Sequence, residues 1–89
     1  MSEDRKTHIA TIAILVKERE TNITEMNEIL SRHADRIISR LGVNLDRFES
    51  AGGSGLIDVV VLGSSEEIKS LTDELDGLYG IVARASVLD

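Results

Sequence analysis

Between Leu56 and Leu78 the spacing of apolar residues changes once, and abruptly. LIDVVVL, Leu56 to Leu62, is an almost unbroken run rich in β-branched residues. After Ser64 the apolar positions become Ile68, Leu71, Leu75 and Leu78, three and four apart. The first pattern fits a strand and the second fits one buried stripe of a helix. Ser64-Ser65-Glu66-Glu67 stands at the junction with capping-box spacing: the Ser64 hydroxyl accepts from the Glu67 N–H while the Glu67 carboxylate reaches back. A chain with such a junction must lay a helix against a sheet.

The same change occurs earlier. HIATIAILVK, His8 to Lys17, reads as strand one. Asn22, with Glu25 three residues on, repeats the capping-box spacing at the start of helix one, whose stripe is Ile23, Met26, Leu30 and Ala34. Ile37 to Val43 is strand two, Asn44 to Ser54 a connecting loop with a bend at Gly52 to Gly55, and Ile81 to Leu88 strand four. Gly77 or Gly80 ends helix two, through the left-handed conformation that helix ends favour. The order is β-α-β-β-α-β. Two right-handed crossovers and one hairpin arrange it as a ferredoxin-like α+β domain, a four-stranded antiparallel sheet with both helices on one face. With 89 residues, the chain has room for one such domain, its charged residues 1–7 frayed.

Alternation assigns residues to sheet faces. If Val43 pairs with Gly55, Leu41 meets Ile57 on the helix side, and Arg40 meets Asp58 on the open side. Arg40, Asp58 and Arg84 then share an open face with Ile9, Leu15, Ile38, Leu56, Val60, Leu62 and Val82. Such a face presents ~350 Å² in projection, as large as the apolar patches monomers tolerate. The expectation is a homo-oligomer, through this face or through unpaired strand edges.

Composition narrows the function. A net charge of −6 and 2% aromatic content disfavour direct nucleic-acid binding, which needs cations for phosphates or rings for bases. An effect on transcription would run through a DNA-binding partner. The longest apolar run, Ile9 to Val16, is far below the about 20 residues of a membrane span, and no cleavage site follows it. The expected location is cytoplasmic, and Asn22-Ile23-Thr24 reads as a helix cap, not a glycosylation acceptor. Cysteine is absent and the two histidines, His8 and His33, stand alone as surface residues, so no metal or other cofactor is expected. A ligand would meet Arg19 and Asn22 at the start of helix one, where free N–H groups and a guanidinium favour a carboxylate. Asn27, beside the buried stripe, needs a partner from a strand backbone or a ligand, and Arg40 completes the candidate set. Helix two carries Glu66, Glu67, Asp73, Glu74 and Asp76 against Lys69 alone, an acidic face that could dock a protein. No catalytic constellation stands out. The acylphosphatases, small enzymes of this plan, hold phosphate in a glycine-bearing loop after strand one. KERETN, Lys17 to Asn22, has no glycine.

VKERE (Val16 to Glu20), NEIL (Asn27 to Leu30), DRIISRLGV (Asp35 to Val43), IDVVVLG (Ile57 to Gly63) and YGIVARAS (Tyr79 to Ser86) occur in this order. Together they resemble the iron-only hydrogenase system regulators, small ACT-like proteins. That resemblance implies a non-enzymatic, oligomeric regulatory domain that binds small effectors between subunits, akin to the effector domain of the nickel-responsive repressor. It carries over neither the glycine of an ACT amino-acid loop nor the histidine–cysteine nickel site, since the chain lacks both. The alternative is a purely structural protein–protein interaction module.

Overall fold

The computed structural model describes residues 6–17, 22–44 and 55–89. Its elements are β1 (His8–Val16), α1 (Ile23–Arg32), a 3-10 turn (Ala34–Arg36), β2 (Ile37–Asn44), β3 (Gly55–Gly63), α2 (Ser65–Asp76) and β4 (Ile81–Val87). The strands pair in the order β2-β3-β1-β4, all antiparallel, which is the ferredoxin-like arrangement.

β1 is central and its alternation is fully used. Ala10, Ile12, Ile14 and Val16 face the helices and are buried, along with Val59, Val61, Ile81 and Ala83 from the neighbouring strands. Met26, Ile29 and Leu30 of α1 and Ile68, Leu71 and Leu75 of α2 close over them. Ile29 takes the place expected of Ala34, which lies beyond the helix in the 3-10 turn and is exposed. The stripe stops because α1 ends at Arg32, two residues before the last apolar position the spacing suggested.

α2 begins as its sequence dictates. Ser64 Oγ accepts from the Glu67 N–H at 3.1 Å and Glu67 Oε1 accepts from the Ser64 N–H at 2.9 Å. At its end Gly77 keeps right-handed angles, and Gly80, at φ 78°, is the left-handed residue that turns the chain into β4. α1 starts differently. Asn22 sits at φ 53°, in the left-handed region, and its side chain makes no cap. Its amide Nδ2 instead donates to Tyr79 O at 2.9 Å, tying the start of α1 to the turn before β4. Asparagine suits both tasks, because it tolerates this conformation and carries a short amide.

β2 departs from the expected register. Ile37 pairs with Val61, but Ser39 pairs with Val60, so an irregularity around Ile38 adds an unpaired residue. Ser39, Arg40 and Leu41 change face. Arg40 pairs with Val59 on the helix side, and Leu41 pairs with Asp58 on the open side, where it is 66% exposed. The expected Arg40–Asp58 pair does not form. An edge strand accommodates such a bulge because it has a neighbour on one side only.

On the open face the three registers align Leu41, Asp58, Ala13 and Arg84 in one row across all four strands. Leu15, Leu56 and Val82 form the next row, at the end of β1 nearest α1.

Candidate functional site

The bulge that moves Arg40 to the helix side also delivers it to α1. Arg40 Nη2 donates to Asn27 Oδ1 at 2.9 Å, although both side chains lie at the surface. Asn27 thus has a partner, but it is the Arg40 side chain and not the strand backbone group or ligand expected. Leu30, Ser31, Ala34 and Ile37 join Arg40 around a groove of about 210 Å³ between α1, the 3-10 turn and β2. Across α1, Thr24, Asn27, Glu28, Ser31 and Arg32 line a wider, open depression of about 610 Å³. Ser31 belongs to both.

Arg40 and Asn27 therefore come together, two of the four residues expected to meet a ligand. Asn22 does not join them, since its amide is committed to Tyr79 O. Arg19 lies outside the described residues. The lining residues Leu30, Ser31, Ala34 and Ile37 escaped the sequence reading, because only the bulge turns Arg40 toward them. Among the described residues no carboxylate pairs with Arg40, so the guanidinium keeps N–H groups for an anion. Beside it, Leu30, Ala34 and Ile37 offer apolar contact. This arrangement can orient a small carboxylate with an apolar part. It presents no nucleophile held by a base.

The acidic face expected on α2 is largely neutralised by other elements. Glu67 binds Arg36 of the 3-10 turn through Nη2 while still capping its own helix. Arg36 holds the Glu67 carboxylate below its usual range, with the Ser64 backbone N–H helping. Glu74 Oε1 accepts from His33 Nε2 at 2.9 Å in the tautomer that carries the proton there, and Oε2 accepts from Arg32 Nη1 at 3.2 Å. His33 first, then Arg32, lower its pKa. Asp76 accepts the Ala83 N–H at 2.9 Å, which depresses its pKa more than Arg84 does, and so caps the free edge of β4. Asp73 pairs with Lys69.

Neither histidine is a plain surface residue. The His33 and His8 side chains are both 19% exposed, His33 against Glu74 and His8 with Nδ1 3.4 Å from Asp89 Oδ1. No group of three or more metal-ligating side chains gathers among the described residues. No helix there is long and apolar enough to cross a membrane.

Comparison with known proteins agrees with this architecture. Residues 8–85 match the TM1266-like family, described as "Iron-only hydrogenase system regulator, putative". Protein TM1266 from Thermotoga maritima superposes with a TM-score of 0.84 at 20% identity, covering 94% of this chain and 100% of that one. The ACT domain of a GTP pyrophosphokinase from Chlorobium tepidum gives 0.71 at 15% identity, covering 91% and 100%. A protein from Galdieria sulphuraria gives 0.66 at 16% identity, covering 94% of this chain but 46% of that one. No curated protein matches the chain. The match over residues 8–85 is decisive for family: the chain belongs to the TM1266-like family and has an ACT-like fold.

Proposed function

We propose that this member of the family is a non-enzymatic, homo-oligomeric regulatory domain that senses a small carboxylate at the groove between α1 and β2. The observation that carries the reading is Arg40 held by Asn27 beside the apolar wall of Leu30, Ala34 and Ile37. A guanidinium fixed by one neutral neighbour, with no acidic partner among the described residues, is poised to take a carboxylate in bidentate fashion. The family description supports the regulatory role and its link to the iron-only hydrogenase system. Regulation of transcription would then act through a DNA-binding partner, and a cytoplasmic location fits such a task.

Thermal unfolding in the presence of the standard amino acids and simple dicarboxylates, one at a time, tests it. A ligand at 100 times its dissociation constant adds about 2.7 kcal/mol to the stability of the folded state. Arg40→Ala is expected to abolish the shift and leave the unliganded melting temperature close to wild type. If none of these acids raises the melting temperature, the ligand-sensing reading fails. The alternative, a structural module that binds protein alone, is then addressed by co-purification from the native host.

A further inference from the structure

The open face of the sheet has a charged middle row set among apolar residues. Asp58 and Arg84 stand on either side of Ala13, each one strand away, so about 10 Å separates their Cα atoms. They are not paired with each other. Arg84 Nη1 donates to Asp76 Oδ1 at 3.0 Å and to Ala83 O at 2.9 Å along the β4 edge, and among the described residues no cation pairs with Asp58. Above and below this row lie Leu15, Leu56, Val60 and Val82, all part-exposed.

We infer that this face closes on a second copy of the chain about a two-fold axis parallel to β1, so that Asp58 of each protomer meets the partner's Arg84. The inference deepens the homo-oligomeric part of the proposed function and rests on it. An axis along β1, passing between the two copies of Ala13, exchanges the left and right sides of the face. It lays β3 of one sheet over β4 of the other and creates the Asp58–Arg84 pair twice. An axis across the strands would stack Asp58 on Asp58 and Arg84 on Arg84, and like charges facing each other within an interface are strongly disfavoured. Pairing through strand edges would leave both charges and the apolar rows in water.

Dimensions agree with the first arrangement. Packed sheets lie about 10 Å apart, a gap that a long arginine and a short aspartate bridge together. The Arg84 guanidinium lies at the β4 edge beside Asp76 and turns inward over the sheet to meet the partner. Arg84 has five N–H donors, and the bonds to Asp76 and Ala83 occupy Nη1 alone. Under this axis β3, β1 and β4 overlap their counterparts and β2 overhangs, so strands of seven to nine residues give a shared face of roughly 14 by 25 Å in projection. Stable dimers commonly bury about 800 Å² of accessible surface per partner. Area alone is marginal here, so the arrangement of charge selects the geometry.

Sedimentation equilibrium of the full chain tests this with Asp58→Arg, Arg84→Asp and the double exchange, their folding checked by circular dichroism. Each single reversal is expected to raise the self-association constant for dissociation by at least about tenfold. The double exchange, which restores opposite charges, is expected to recover most of that loss. If the double exchange recovers nothing, the Asp58–Arg84 contact is refuted. If Asp58→Asn tightens association, the axis runs across the strands, and the inference falls while the homo-oligomeric reading stands. A wild-type chain that stays monomeric at high micromolar concentration overturns both.

Discussion

Introducing cysteine by Leu41→Cys together with Asp58→Cys tests the register that brings Arg40 to Asn27. The chain has no native cysteine, so the new pair is the only one able to bond. Leu41 and Asp58 stand directly opposite each other on the open face. Opposed residues of antiparallel strands have Cα atoms about 4.5–5.5 Å apart, inside the about 4.4–6.8 Å that a disulfide spans. Both side chains are exposed, so neither replacement opens a cavity. Closing the loop from residue 41 to residue 58 gives about 3 kcal/mol in the chain-entropy account. In a domain of this size each kcal/mol moves the melting temperature by about 4–8 °C. The oxidised protein is therefore expected to melt at least about 10 °C above the reduced one. Thiol titration and non-reducing electrophoresis verify that the bond lies within one chain. The control is Arg40→Cys with Asp58→Cys, the pair that uninterrupted alternation would bring together. In the observed register these two project from opposite faces and stay reduced. Efficient crosslinking of the control, with none at 41 and 58, would refute the bulge and with it the placement of Arg40.

Three other outcomes follow from the helix ends and ion pairs. Ser64→Ala removes the hydroxyl that accepts from the Glu67 N–H and is expected to cost about 1 kcal/mol, read as a lower melting temperature. Asn22→Ala loses the bond to Tyr79 O and also places an ordinary β-carbon at φ 53°, whereas Asn22→Gly loses only the bond. The alanine variant should melt below the glycine variant, by an amount equivalent to about 1 kcal/mol; the reverse order would contradict the left-handed start of α1. The carboxyl of Glu74 titrates below its ordinary 4.5 in the folded protein because His33 and Arg32 hold it. A depressed acid contributes stability above its unfolded value and loses it as the pH falls through the folded one. Glu74→Gln should thus be less stable than wild type at neutral pH, and denaturant titrations should show the difference shrinking below about pH 4.5.

The acidic helix shows how a correct local reading can still mislead. Glu67, Glu74 and Asp76 were visible as a cluster of like charge, and the capping role of Glu67 was legible from its distance to Ser64. Their partners were not. Arg36, Arg32, His33 and Arg84 come from the 3-10 turn, the end of α1 and β4, and reach α2 only after the chain has folded. Half of the candidate ligand site was legible in a similar sense. Asn27 was marked because a polar amide beside a buried stripe demands a partner, but its partner lies thirteen positions away across a bulge.

Local pattern sufficed for the order of elements, the core faces of β1 and β3, the antiparallel sheet and the cap of α2, because strand alternation, helical spacing and capping all act between residues a few positions apart. Tertiary structure decided the face carrying Arg40, the left-handed Asn22 and the neutralisation of α2. Each depends on a contact between distant segments: Asn22 meets Tyr79 across fifty-seven positions, and one unpaired residue near Ile38 reverses the faces of Ser39, Arg40 and Leu41. Periodicity holds no record of such a residue, since a bulge leaves the alternation of the sequence untouched and alters only what the strand faces.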